Sequence, residues 1–206
     1  IFKSNNSGVW QFYQKMPEDW DICFERLNIS CKLKLTSFKH VGVFPEQAAN
    51  WDYISAINKS GKGLKMLNLF AYTGMSSLAS NFNSNQVTHV DSVKQVVSWA
   101  KENMIISGQS NIRWIIEDAR KFVNREISRG NKYNGIILDP PAFGKGTKGE
   151  NWKLEKDLND LLKSVEQLLD KNKYFLILNT YSLGFSSVIL ENIVGQIFKS
   201  FNSRKE

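Results

Sequence analysis

The sequence predicts an α/β domain: a mainly parallel sheet with helices on both faces, preceded by a small β-rich segment. Three observations predict it. After Gly63, five apolar runs of strand length alternate with five stretches of helical periodicity. The runs are rich in consecutive apolar residues, as strands covered on both faces are. Before residue 36 the pattern differs, with short β-branched and aromatic segments separated by turn residues.

The amino-terminal segments read GVWQFYQK (8–15), MPED (16–19) and WDICFERLN (20–28). SCKLKLT (30–36) follows, with Cys31, Leu33 and Leu35 on one face and Lys32 and Lys34 on the other. A small antiparallel sheet is expected over 1–36 and the main domain over 37–206. FPEQAANWDYISAINKSG (44–61) is helical, with Pro45 suited to the first helical position and Gly61 to the stop. Then come GLKMLNLF (63–70) as strand, SSLASNF (76–82) as helix, QVTHVD (86–91) as strand and SVKQVVSWAKENMIIS (92–107) as helix. NIRWIIE (111–117) and DARKFVNREIS (118–128) repeat the pair, as do YNGIILD (133–139) and LEKDLNDLLKSVEQLLD (154–170). KYFLILNT (173–180) and SSVILENIVGQIFKSF (186–201) complete it, with right-handed crossovers expected throughout.

A chain of 206 residues supports one domain with a sizeable core, and 42% hydrophobic with 23% charged residues is ordinary for a soluble globular protein. No apolar run approaches the roughly 20 residues of a membrane helix, so a cytoplasmic location is expected. Ile1 begins no signal peptide, and the missing initiator Met suggests a piece of a longer product. Lys+Arg of 27 against Asp+Glu of 20 gives a net charge of +7, which suits a polyanionic partner without requiring one. Cys23 and Cys31 are too few for a disulfide framework and lack metal-ligand spacing, so reduced thiols and no metal are expected.

In parallel sheets ligands bind beyond the carboxyl ends of the strands. The first strand ends in LNLFAYTGMSS, where Gly74 lets backbone N–H groups approach a ligand or simply makes a tight turn. The second ends at Asp91, about 20 residues further on, suited to ribose hydroxyls or to capping the next helix. The third ends at Asp118-Ala119, where the acid suits an adenine amine or another cap. The fourth ends in LDPPAF: Asp139, Pro140, Pro141 and Phe143. Two prolines fix φ and remove two donors, which leaves the carbonyls near Asp139 to accept from a substrate amine. Phe143 can stack on a flat acceptor or fill the core. Lys145, Lys148 and Lys153 follow in GKGTKGENWK, read as phosphate contacts or as a solvated, mobile loop.

These motifs, from FKHVGVFPEQAANW through LNLFAYTG, VDSVKQVVSWAKEN, EDARKFV and LDPPAFG to LNTYS, resemble the class I S-adenosylmethionine-dependent methyltransferases. They are most similar to the bacterial large-subunit ribosomal RNA methyltransferases. The resemblance implies a Rossmann-like fold and S-adenosylmethionine as cofactor. It implies Asn68 and the turn of Phe70, Tyr72, Thr73 and Gly74 beside the methionine arm, Asp91 with Ser92 at the ribose, and Asp118 with Ala119 at the adenine. It places Phe44, and less firmly His40, over the cofactor, and Asp139 to Pro141 at the transfer site. That family's sheet normally closes with a carboxy-terminal antiparallel hairpin, for which FNSRKE is too short, so the hairpin is expected to be missing.

Carbon-5 methylation of cytosine needs a thiolate that first adds to the ring. Cysteine is absent from both LDPPAF and the fifth strand's NTYSL, so the expected acceptor is a nucleobase nitrogen in ribosomal RNA. The rivals are a protein amide N-methyltransferase and an inactive RNA-binding module of the same fold. A nicotinamide oxidoreductase is more distant, because the glycine pattern it needs is missing.

Overall fold

Apolar runs that alternate with amphipathic helices bury both faces only by lining up in parallel, and they do so here. The computed structural model describes residues 2–4, 7–8, 10–36, 40–181 and 186–202. Two short strands, β1 (Phe2–Ser4) and β2 (Ser7–Gly8), pair antiparallel. A second antiparallel pair follows, β3 (Asp19–Phe24) and β4 (Ile29–Lys34). A short 3-10 turn at Pro45–Gln47 leads into α1 (Ala48–Ser60). The alternating part comprises β5 (Lys65–Leu69), α2 (Met75–Ser80), β6 (Gln86–Asp91), α3 (Lys94–Ile106), β7 (Ile112–Ile116), α4 (Ala119–Ser128) and β8 (Gly135–Leu138). A small pair, β9 (Phe143–Lys145) and β10 (Asn151–Lys153), precedes α5 (Leu154–Leu168), β11 (Phe175–Leu178), α6 (Ser187–Ile197) and α7 (Lys199–Asn202).

The main sheet runs β11-β8-β5-β6-β7, all parallel. Among the described residues no antiparallel strand joins it, and β11 and β7 are its edges. β5 and β8 sit at the point where the strand order reverses, the place at which such sheets open a ligand crevice. Alternate residues of β5 enter different cores. Leu67 and Leu69 join Phe122 of α4, Leu158 and Leu162 of α5 and Phe198 on one face. Met66 joins Trp51 and Ile54 of α1 and Leu78 of α2 on the other.

Ile29, Cys31 and Leu33 of β4 lie in this second cluster. The alternation read in SCKLKLT is therefore real, and its apolar face docks onto the main domain. Backbone groups fix the docking: Lys32 N–H donates to Asn103 Oδ1 at 2.9 Å, and Trp99 Nε1 donates to the Lys32 carbonyl at 2.9 Å.

Two expectations are corrected. GVWQFYQK forms no strand beyond Gly8 among the described residues. Trp10, Phe12 and Tyr13 are exposed there, because β propensity without a partner strand or a face to bury makes no strand. The segment after Phe143 is not a free loop but the β9–β10 hairpin. Trp152 anchors it: its ring is buried, packs 5.0 Å from that of Phe70, and its Nε1 donates to the Pro141 carbonyl at 2.6 Å. Truncating Trp152 leaves a cavity and an unpaired carbonyl, so Trp152→Ala is expected to lower unfolding stability by about 3 kcal/mol in denaturant titration. Faster proteolysis within 143–153 should accompany it.

Candidate active site

The turn after β5 has an unusual backbone. Phe70, Tyr72 and Gly74 have φ of 55°, 49° and 88°, three left-handed residues within five. Glycine tolerates this, but a residue with a Cβ is strained there. A Cβ at Gly74 would also lie 3.0 Å from that of Ala100. The turn persists because its neighbours over-determine it. Tyr72 N–H donates to Asp91 Oδ2 at 3.0 Å, and Ala71 N–H donates to the Val90 carbonyl at 3.1 Å. Thr73 Oγ1 donates to the Gly42 carbonyl at 2.6 Å, and the Thr73 carbonyl accepts from Asn103 Nδ2 at 2.9 Å.

Asp91 spends its second oxygen nearby, accepting from Val93 N–H at 2.9 Å just before α3 begins. It does not cap α3, whose N-cap is Val93 without a side-chain cap bond. Burial raises the pKa of Asp91, and the bonds from Val93 and Tyr72 oppose that rise. Asp118 caps α4, accepting from Arg120 N–H at 3.0 Å and Lys121 N–H at 3.2 Å. It lies under the β9–β10 hairpin, where a Cβ at Gly146 would approach Asp118 Oδ2 to 2.9 Å. Ser92 holds the same hairpin, its Oγ donating to the Lys145 carbonyl at 3.1 Å.

A pocket opens above the ends of β5 and β8. It brings together Phe44, Asn68, Phe70, Tyr72, Thr73, Gly74 and Asp139, with Val43, Trp51 and Ile137 supplying apolar wall. Asp91 touches it through Tyr72; Ser92, Asp118, Ala119, Pro140, Pro141 and Phe143 do not line it. Phe44 stands between Tyr72 and Tyr181, with centroids 5.4 and 6.2 Å away, and His40 is 5.2 Å from it on the outside. An apolar wall, a few polar groups and the absence of a Cβ at Gly74 are features of a small-molecule site.

Asp139 is half-buried at the end of β8. Burial, and then the charge of Glu46, push its pKa up to about 6. Gln47 links it to a side-chain network. Gln47 Nε2 donates to the Tyr181 hydroxyl at 2.6 Å and reaches Asp139 Oδ2 at 3.4 Å. Asn50 Nδ2 donates to Gln47 Oε1 at 2.7 Å and Asn179 Oδ1 at 2.9 Å. Asn179 and Tyr181 follow the fifth strand, so the strand-end rule points to them; Gln47 precedes a helix, where no such rule applies. The remainder of NTYSL, Ser182 and Leu183, lies outside the described residues, as do Phe38 and Lys39 of the segment over the pocket.

The Pro-Pro reading needs correction. The Pro141 carbonyl is not free, because the Trp152 indole occupies it. Phe143 is 74% exposed, which removes the core alternative. Lys145, Lys148 and Lys153 are exposed along the hairpin. Neither thiol lines the pocket; Cys31 is buried and burial pushes its pKa up to about 12, whereas Cys23 is exposed. Among the described residues no cluster of His, Cys, Asp or Glu is arranged to hold a metal, and no helix is long and apolar enough to cross a membrane. An aromatic disulfide reagent is expected to titrate one thiol per native chain, Cys23, and both after unfolding; two fast thiols in the native protein would contradict the buried placement of Cys31.

The comparisons with known proteins agree with this geometry. A family model described as S-adenosylmethionine-dependent methyltransferase matches residues 2–197. The ribosomal RNA large subunit methyltransferase K/L of Shewanella frigidimarina is 29% identical over 81% of this chain and 24% of its own length. That of Shewanella amazonensis is 30% identical over 81% of this chain and 23% of its own length. The chain thus spans about a quarter of the length of these curated relatives. The crystal structure of an Agrobacterium tumefaciens SAM-dependent methyltransferase has a TM-score of 0.90 at 38% identity, over 96% of this chain and 64% of that one. A chain assigned as a methyltransferase and solved with S-adenosylhomocysteine has a TM-score of 0.79 at 22% identity, over 91% of this chain and 48% of that one, a likeness of fold. With a Rossmann-like sheet, a clamped turn after β5 and a family match along nearly its whole length, this chain belongs to the S-adenosylmethionine-dependent methyltransferases.

Proposed function

We propose that the chain methylates a nucleobase nitrogen in ribosomal RNA. The observation that carries this reading is the half-buried Asp139 carboxylate lining the pocket, which Gln47 Nε2 reaches at 3.4 Å and links to the Tyr181 hydroxyl and, through Asn50, to Asn179. A carboxylate backed by such an amide accepts from a polar-edged group and helps hold it in line with a donor. S-adenosylmethionine, when bound, supplies an electrophilic methyl group. The chain's own residues supply position and a water-poor site.

In this reading Asn68 and the Phe70–Gly74 turn hold the methionine arm, and Asp91 accepts from the ribose through its remaining lone pairs. The adenine end falls towards Asp118 and Ala119. Asp118 is 6% exposed beneath Gly146, so a ring there shifts the hairpin tip. Asp139 accepts a hydrogen from the acceptor amine and balances the charge that grows as the methyl arrives. Phe143 stacks on the base, and Lys145, Lys148 and Lys153 meet the phosphates beside it. The names of the Shewanella relatives support RNA as substrate. The absence of both thiols from the pocket lining supports nitrogen over carbon 5.

The test is methyl transfer from labelled S-adenosylmethionine to ribosomal RNA, followed by nucleoside analysis. A methyl group on nitrogen is expected. Label in the protein fraction, or 5-methylcytosine in the RNA, would overturn the substrate assignment. Asp139 works only when ionised, so the rate should fall about tenfold per pH unit below its raised pKa of about 6 and level off above it. Asp139→Asn should cost at least about 100-fold in kcat and abolish that acid limb.

A further inference from the structure

Asn68 and His89 are register partners on the adjacent strands β5 and β6. Both are buried, at 3% and 0% exposure. Their side chains meet below α2, where the fully buried Ser77 reaches between them. Asn68 Nδ2 donates to Ser77 Oγ at 2.9 Å, and Ser77 Oγ lies 3.0 Å from His89 Nδ1. His89 Nε2 is buried with no partner among the described residues. The imidazole lies under the strained turn, since a Cβ at Gly74 would be 3.5 Å from His89 Cε1. Trp114 packs against the ring, with centroids 4.8 Å apart.

One hydrogen arrangement satisfies this chain best. Burial keeps the ring neutral, pushing its pKa down to about 3, so it carries a single N–H. With that hydrogen on Nε2, Nδ1 accepts from the Ser77 hydroxyl and one polar atom is left unpaired. With it on Nδ1, the ring donates to Ser77 Oγ, and since the Asn68 amide faces that oxygen through its nitrogen, both Nε2 and the serine hydrogen are left unpaired. The first arrangement is favoured, because each buried orphan is costly. Ser77 then gives its hydrogen to His89 and can only accept from Asn68. This matches the amide of Asn68 facing Ser77 through nitrogen, and its oxygen is left for the pocket that Asn68 lines with Gly74 and Asp139.

We infer that His89 and Ser77 are positioning residues that lock the Asn68 amide with its oxygen available to the pocket, where it accepts from the ammonium group of the methionine arm. This rests on the cofactor reading above. It also gives a use to an unpaired buried imidazole that an apolar residue of similar shape would avoid. Replacing either member frees the amide to turn and present a donor to the ammonium group instead.

The test is calorimetric titration of two nucleosides into wild type, His89→Phe, Ser77→Ala and the double variant. S-adenosylhomocysteine carries the amino-acid arm, and 5′-methylthioadenosine does not. Each single variant should weaken S-adenosylhomocysteine at least fivefold and leave 5′-methylthioadenosine within twofold. The double variant should be no weaker than the worse single, because both residues act through one amide. Equal loss for both nucleosides, or no loss for either, overturns the relay while the cofactor reading stands. A wild type that binds neither nucleoside removes the cofactor reading and this inference with it. If a variant does not fold, nitrogen-15 NMR of His89 in the wild type decides: hydrogen on Nε2 is expected from pH 5 to 8, and hydrogen on Nδ1 overturns the relay.

Discussion

The Asp91 carboxylate holds two strand ends together, and the site is built on that clamp. One oxygen takes the Tyr72 N–H and the other takes the Val93 N–H. With the contacts from Val90, Gly42 and Asn103 it holds Phe70 and Tyr72 at positive φ, where each costs about 1 kcal/mol or more. The clamp therefore stores strain and spends it on shape. It bends the backbone after β5 so that Gly74 starts α2 with no Cβ in the way, and it sets Tyr72 against Phe44. The supporting contacts from Gly42 and Asn103 come from the loop after β4 and from α3. Asn103 also accepts from Lys32 N–H, so α3 ties the docked β4 to the turn.

The two faces of the sheet divide the work. Met66, Asn68 and His89 belong to the face under α1 and α2, where polar groups run as a chain from the core to the pocket. Leu67 and Leu69 face an apolar layer of α4 to α6. That rigid back wall lets β8 present Asp139 at its end, between the Gln47 network and the anchored hairpin. The hairpin is fixed at its base by Trp152 and at its edge by Ser92, and its Phe143 and lysines are exposed.

Much of this was legible in the sequence. Strand and helix alternation gave every member of the main sheet, because buried parallel strands and their crossover helices differ plainly in period. The glycine turn and the strand-end acids were found because topology, not side-chain detail, puts strand ends together. Three things were not legible. GVWQFYQK has strand composition, but pairing is a tertiary matter. GKGTKGENWK reads as a loose loop, because one tryptophan and its distant carbonyl partner decide otherwise. The Gln47, Asn179 and Tyr181 network and the His89 relay join residues from 9 to 134 positions apart, contacts that no local pattern encodes.

The most direct measurement of the central claim is calorimetric titration of S-adenosylmethionine into wild type and Asp91→Ala, with the thermal midpoint of each recorded. The clamp predicts saturable binding to the wild type and a dissociation constant raised about ten- to a hundredfold in the variant, the loss of charged hydrogen bonds. Binding of equal strength in a folded Asp91→Ala, or no heat for either protein, would contradict it.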